Sequence, residues 1–404
     1  MSFLARLLTS RWGPIVTGAI VGVLAPVLVR MGNPGNMGLC VACFSRDIAG
    51  ALGLHRAASV QYLRPEIVGL VLGALAAAVV FREFKPRTGS APLVRFLLGM
   101  FAVVGALVFL GCPWRAYLRL GGGDWNSLFG ILGLALGTGL GIVFLRRGFS
   151  LGRNRLATPA LGWMMPGLMV VLLALLYAAP FGRDAAGAPT GPIFFSVTGP
   201  GSQHAALWLS LGAGLLVGFL AQRSRFCTVG ALRDLMLMRD THLFNGVVAL
   251  TVAALATNLV LGQFQAGFED QPIAHTNALW NVAGMVLSGL AFTLAGGCPG
   301  RQLILSGEGD GDAAVFALGM IVGTAFVHNF SVASSPTGPG AFGPAAVVTG
   351  LIACSLIGLV MREPPAAEGA RGCGGRGTGM DASGSDEREE NGGRTRALVP
   401  PTGS

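Results

Sequence analysis

Residues 111–124 read GCPWRAYLRLGGGD, and residues 297–310 read GCPGRQLILSGEGD. In both copies a long apolar segment ends at Gly, a Cys follows, and Pro comes next. Proline is favoured at the first position of a helix, where its missing N–H costs nothing. The pattern therefore predicts that a helix breaks before Cys112 and again before Cys298, and that a short helix starts at the proline after each cysteine.

A second pair of segments repeats at nearly the same distance. Residues 40–47 (CVACFSRD) and 227–234 (CTVGALRD) lie 187 residues apart, whereas the two GCP segments and a later Gly-Thr pair (137–138 and 323–324) lie 186 residues apart. Three matches in the same order along the chain indicate a tandem duplication.

The composition places this duplication in a membrane. The 404 residues have a mean hydropathy of +0.64, and 12% are charged, against about 25% in soluble domains. This excludes a typical soluble enzyme and predicts an all-α polytopic membrane protein. Apolar segments of about 20 residues, the length that crosses a bilayer, recur along the chain. The predicted spans lie near residues 12–30, 63–81, 93–111, 127–145, 162–180, 205–222, 243–263, 278–297, 313–330 and 343–361.

The number of spans in each copy determines their relative orientation. Five spans are an odd number, so the second half must be inverted relative to the first, as in many transporters with a site near the membrane midplane. We therefore expect an inverted structural repeat of two five-span halves with short broken or re-entrant helices. The expected domains are a first transmembrane repeat (1–161), a fifth span and linker (162–204), a second, inverted repeat (205–361) and a disordered cytoplasmic tail (362–404).

The distribution of charge predicts the topology. Residues 362–404 contain six Arg and seven Asp or Glu, a net charge of −1, so residues 1–361 carry +10. Arginines concentrate in alternate loops, which places both termini in the cytoplasm by the positive-inside rule. Cys40 and Cys112 then approach the membrane from outside, and Cys227 and Cys298 from inside. The positive charge suits lipid headgroups or an anionic substrate, and its dispersal along the chain argues against nucleic acid.

The repeated cysteines are the first candidates for a substrate pathway. A helix N-terminus favours a thiolate or a bound anion, and an arginine follows each GCP cysteine by three residues. Lone membrane cysteines are commonly small packing residues, and an intramembrane histidine or asparagine commonly makes an interhelical hydrogen bond. The candidate pathway comprises Cys112, Cys298, Cys40, Cys227, Arg115 and Arg301, with Cys43, His328 and Asn329 as secondary candidates. Asp124 and Asp310, which end the repeated motifs, are expected to cap helices or neutralise charge, and Arg46–Asp47 and Arg233–Asp234 to pair with each other.

Other chemistries find less support. Cys40 and Cys43 form a C-x-x-C motif, the spacing of redox centres and of half a zinc site. A zinc site needs two further ligands, which the sequence does not suggest, and Lys85, the single lysine, has no phosphate-loop context. We therefore predict no metal, cofactor or catalytic residue. The alternatives are a membrane thiol–disulfide oxidoreductase that uses Cys40 and Cys43, and a channel for an unrelated small solute with structural cysteines.

Over about residues 12–361, the GCPWRAYLRLGGGDWN, GCPGRQLILSGEGDGD and paired C…RD motifs resemble the YeeE/YedE family of sulfur-transport membrane proteins. The resemblance is greatest to its branch of YedE-type selenium transporters. It implies a permease of the inner membrane that carries a thiosulfate-like anion or a selenium species into the cell.

The resemblance also implies how the substrate moves. In thiosulfate-importing members the anion is thought to pass from cysteine to cysteine through S–H···S contacts. That role falls here on Cys112 and Cys298 first, then on Cys40 and Cys227. The resemblance further implies a cytoplasmic sulfur-carrier protein of the TusA type as the receiver.

Overall fold

The computed structural model describes residues 3–178, 184–185 and 190–362, with side chains from residue 6 onward. The predicted tail beyond residue 362, including Cys373, lies outside the described residues.

About two-thirds of the described residues are helical, and the rest form loops and one short two-stranded antiparallel ribbon. The helices are α1 (Phe3–Thr9), α2 (Gly13–Arg30), α3 (Val41–Ala51), α4 (Pro65–Val80), α5 (Pro92–Phe109), α6 (Pro113–Gly121), α7 (Asn126–Arg146), α8 (Pro159–Ala178), α9 (Leu207–Ser224), α10 (Thr228–Met238), α11 (His242–Val260), α12 (Ala278–Ala295), α13 (Pro299–Gly307), α14 (Gly311–Asn329) and α15 (Gly343–Val360). The ribbon pairs β1 (Arg87–Thr88) with β2 (Arg155–Leu156).

The long helices coincide with the ten predicted spans. Within the described residues, nine helical segments are long and apolar enough to cross a membrane, and α4, with 16 residues, is a shorter apolar helix. The prediction of an all-α polytopic membrane protein is therefore confirmed.

The spans pack in pairs that join the first half of the chain to the second. Helix α2 packs against α11 and α4 against α9, while α5 packs against α14 and α7 against α12. Glycines allow this close approach, since a Cβ at Gly18 in α2 would lie 1.9 Å from the carbonyl oxygen of Gly246 in α11. Small residues at such crossings are the usual means of packing helices in lipid.

Both GCP segments interrupt a helix, as predicted. Helix α5 stops at a left-handed residue, Leu110 (φ +63°), and α12 stops at Gly296 (φ +90°). The short helices α6 and α13 then begin at Pro113 and Pro299.

The two aspartates at the ends of these motifs each accept a backbone N–H and pair with an arginine. The side chain of Asp310 caps α14 by accepting the backbone N–H of Ala313 (3.0 Å), as expected. Asp124 accepts the N–H of Asn126 (3.0 Å) and makes a fully buried ion pair with Arg119 (2.6 Å). Asp310 pairs with Arg87 (2.7 Å), so both aspartates also neutralise charge, as expected.

Candidate functional site

Four cysteines occupy the same position in four short helices. Cys40, Cys112, Cys227 and Cys298 are the N-cap residues of α3, α6, α10 and α13. In three of these helices the cap sulfur accepts the backbone N–H three residues later, at 3.4 Å in α3, 3.2 Å in α10 and 3.4 Å in α13. The prolines predicted the caps of α6 and α13. No proline follows Cys40 or Cys227, and the sequence did not predict their caps.

The first cysteine cluster contains Cys40, Cys43 and Cys112, which are all buried. The side chains of Cys40 and Cys112 lie next to each other. Arg115, in the first turn of α6, completes the cluster, because its Nη1 donates to Sγ of Cys43 (3.4 Å). Cys43 and Arg115 are 72 positions apart in the sequence, and the fold brings them into contact.

Arg115 is held by backbone carbonyls from three loops. Its Nε donates to the carbonyl of Asn36 (2.8 Å), its Nη2 to that of Ile273 (3.0 Å), and its Nη1 also to that of Leu110. Arg115 is fully buried, and no carboxylate forms an ion pair with it among the described residues. A positive charge without a counter-ion therefore lies beside the first cluster.

A cavity of about 200 Å³ lies next to this arginine. Asn36, whose carbonyl binds Arg115, lines it, together with the amide side chains of Asn258, Gln263, Gln265 and Gln271. The rest of its lining is apolar or glycine, including Val29 and Leu118. A space of this volume with five amide side chains in its wall is large enough for a small hydrated anion.

The second cysteine cluster contains Cys227 and Cys298. The backbone N–H of Cys298 donates to Sγ of Cys227 (3.4 Å), which places the two cysteines next to each other. Where the first cluster has Cys43, this one has Gly230, whose N–H donates to the sulfur of Cys227. The second cluster therefore has the same backbone arrangement and one thiol fewer.

Arg301 in the second cluster differs from Arg115 in its partners. Its Nη1 donates to the carboxylate of Glu308 (3.3 Å), which also accepts from Arg225 (3.2 Å). The side chain of Arg225 is 50% exposed, so this network runs from the cluster to the protein surface. Glu308 is a residue that motif reasoning missed, although it lies inside the second quoted segment.

A second carboxylate extends the network at the surface. Glu83 accepts from Arg223 (2.6 Å), Arg225 (3.1 Å) and the amide of Gln222 (2.8 Å). Partial burial raises the pKa of Glu83, but the hydrogen bonds from Gln222 and Arg223 and the nearby arginine charges hold that pKa below its usual value. This carboxylate is therefore ionised at neutral pH.

The first turns of α6 and α13 meet, which brings the two clusters together. The contact is between Trp114, two residues after Cys112, and Gly300, two residues after Cys298. The ring of Trp114 also packs edge-on against Phe226, the residue before Cys227. Neither aromatic residue was predicted from the sequence, although Trp114 and Gly300 are the first difference between the two GCP motifs.

Two of the secondary candidates, His328 and Asn329, lie outside the repeated motifs. The structure brings His328 onto the ring of His55 (4.7 Å between centroids) and lets Asn329 donate to the carbonyl of Leu54 (2.9 Å). Burial lowers the pKa of His55 despite its hydrogen bond to the carbonyl of Arg46. Both candidates therefore contact the loop after α3.

Comparison with known proteins identifies one family model and two similar transporters. The family model for sulphur transport matches residues 223–360, which include Cys227, Cys298 and Arg301. The thiosulfate transporter TsuA of Spirochaeta thermophila is 34% identical over 105 residues, which are 26% of this chain and 31% of that protein. The thiosulfate transporter TsuA of Escherichia coli is 33% identical over 97 residues, 24% of this chain and 27% of that protein. The match thus spans less than a third of the length of these curated relatives.

Proposed function

Because residues 223–360 belong to the sulphur transport (YeeE/YedE) family, we propose that this chain is a multi-pass permease of the cell inner membrane. It carries a small sulfur- or selenium-containing anion into the cell, with thiosulfate as the first candidate and a selenium species as the second. Both termini lie in the cytoplasm. Residues 1–161 and 205–361 form two inverted repeats, joined by the fifth span and linker at 162–204.

The arrangement of the four N-cap cysteines carries this proposal. They form two buried pairs, each beside an arginine, at the starts of helices whose dipoles favour a negative charge. Thiols are weak hydrogen-bonding groups, so they can hold a soft anion without trapping it. Broken helices at membrane depth are tolerated where they are buried or line a path, which agrees with a pathway through both clusters.

The pairing of the spans supports the inverted repeat. The packing of α2 against α11 is matched by that of α9 against α4, and the packing of α5 against α14 by that of α12 against α7. Each match exchanges a helix of one half for its counterpart in the other. This is the pattern expected from two halves related by an approximate two-fold axis in the membrane plane.

The two arginines give the two clusters unequal affinity for an anion. Arg115 binds backbone carbonyls and keeps a full positive charge for an anion at the outer cluster. At the inner cluster, Glu308 competes with the anion for Arg301 and so favours release. A dianion that enters against 100 mV, negative inside, must overcome about 4.6 kcal/mol. Import therefore needs a concentration gradient, co-transport, or removal by a cytoplasmic receiver such as a TusA-like sulfur-carrier protein.

Uptake into liposomes that contain the purified full chain tests this proposal. We expect uptake of radiolabelled thiosulfate, with labelled selenite measured in parallel. Cys112→Ala and Cys298→Ala should each slow uptake at least tenfold. Cys354→Ala is the matched control, since Cys354 is equally buried but lies in α15, outside both clusters. Normal uptake by both cluster variants would contradict the cysteine pathway.

One further variant separates the permease from a thiol–disulfide oxidoreductase at Cys40 and Cys43. The permease predicts that Cys43→Ala slows uptake only in part, because the counterpart of Cys43 is Gly230, which has no thiol. The oxidoreductase predicts complete loss of thiol oxidation in the same variant.

A further inference from the structure

Trp114 fills the space between the two cysteine clusters. A Cβ at Gly300 would lie 2.6 Å from Cζ2 and 2.8 Å from Cε2 of Trp114, so the indole ring lies directly on the backbone of α13. Its centroid is 5.8 Å from that of Phe226. A single side chain from the first half of the chain therefore contacts the residues that flank both cysteines of the second cluster.

The indole N–H of Trp114 is buried without a partner. The side chain is 1% exposed, and its Nε1 has no hydrogen-bond acceptor in the described structure. A buried tryptophan N–H usually finds an acceptor, and one that lacks it is costly. Nε1 is bonded to Cε2, one of the ring atoms nearest to Gly300, so this donor lies close to the first turn of α13.

We propose that Trp114 is the central barrier between the two cysteine clusters and that its indole N–H donates a hydrogen bond to the anion as it crosses. This inference rests on the proposed transport function. The anion leaves Cys112, meets an unpaired donor two residues along the same helix, and then reaches the N-terminal turn of α13, which begins at Cys298. An acceptor atom of the anion satisfies the N–H during passage, while the resting ring blocks solutes that cannot displace it.

The difference between the two halves follows from this role. Gly300 occupies the position in α13 that Trp114 occupies in α6, and the contact leaves no room there for any side chain. Two indole rings could not meet at this point. One half therefore supplies the barrier and the other half supplies the surface against which it closes.

Three variants of the full chain in liposomes test the inference. Trp114→Phe keeps a ring and removes the N–H, whereas Trp114→Ala removes the ring. Trp125→Phe is the control, because Trp125 is exposed and packs on Phe268, away from the clusters. Thiosulfate uptake and chloride leak are measured on the same vesicles, after size-exclusion chromatography selects folded protein.

We expect Trp114→Phe to raise the KM for thiosulfate roughly tenfold or more, the effect of one lost hydrogen bond to a charged group, without chloride leak. Trp114→Ala should admit chloride, which the unchanged protein excludes, and Trp125→Phe should behave as the unchanged protein does. An unchanged KM in Trp114→Phe, or tight vesicles with folded Trp114→Ala, would overturn the inference. Chloride leak is measured without reference to thiosulfate, so the two proposals can fail separately. If the unchanged protein takes up no thiosulfate, the proposed transport function is wrong, and the chloride measurements still test the barrier.

Discussion

Replacement of Asp47 by Asn should destabilise this protein far more than replacement of Asp234, although the two residues occupy equivalent positions in the repeated C…RD segments. Asp47 binds two arginines: Oδ1 accepts from Arg46 (2.7 Å) and Oδ2 from Arg64 (2.7 Å). Asp234 is paired with Arg233 (2.9 Å). Both pairs within the segments were predicted from the sequence, and both are confirmed.

The burial of the two aspartates sets the expected magnitudes. The side chains of Asp47 and Arg64 are both fully buried, whereas those of Arg233 and Asp234 are 32% and 14% exposed. Removing one partner from a buried ion pair costs about 3–5 kcal/mol, because the remaining charge is left without compensation. A partly exposed pair contributes about 0–1 kcal/mol. Arg64 also donates to the carbonyls of Pro200 and Gln203, so its displacement would release the loop before α9.

Thermal unfolding of the purified protein in detergent measures the difference. For a chain of this size we expect Asp47→Asn to lower the Tm by about 3–10 °C and Asp234→Asn by no more than about 1–2 °C. A second change, Arg46→Gln, made together with Asp47→Asn should recover part of the loss because it removes one uncompensated charge. Equal shifts for the two aspartates, or a double variant less stable than Asp47→Asn, would refute this reasoning.

Two further predictions concern topology and packing. With both termini in the cytoplasm, a membrane-impermeant maleimide should label Asp270→Cys in intact cells and Arg153→Cys only after lysis, and the reverse pattern would contradict the proposed orientation. Gly18→Ala should destabilise the protein by about 1–3 kcal/mol, because the added Cβ would lie 1.9 Å from a facing carbonyl oxygen. Gly212→Ala should instead stabilise α9 by about 0.5–1 kcal/mol, because the added Cβ would have no atom within 4 Å. Similar unfolding midpoints for the two alanine variants would contradict that packing.

The sequence predicted the features that depend on local chemistry. The ten spans follow from apolar length, and the breaks before Cys112 and Cys298 follow from the proline after each cysteine. The C-x-x-C motif drew attention to Cys40 and Cys43, and the structure adds that Cys40 is the N-cap of α3, which starts one residue later. When no proline marks the first position of a helix, the sequence gives little indication of which residue precedes the helix. The caps at Cys40 and Cys227 were therefore not predicted.

Contacts between distant segments could not be predicted in this way. Arg115 was expected beside a cysteine, but its partners, the carbonyls of Asn36 and Ile273, lie 79 and 158 residues away along the chain. Every residue has a backbone carbonyl, so a sequence motif cannot predict which carbonyls will bind a side chain. The contact between Trp114 and Gly300 likewise depends on how α6 and α13 cross, which is set by the packing of the long helices around them.

The two halves agree in backbone and differ in side chains, and this division suggests where specificity arises. Both halves keep cysteine caps and the left-handed turns before the GCP motifs, at Leu110 and Gly296. These features set where the short helices α6 and α13 begin. Trp114 and Gly300 differ, as do the partners of the two arginines. A path built from two identical halves would present the same groups to an anion from either side. The differing side chains, and not the shared cysteines, must therefore distinguish the first cluster from the second.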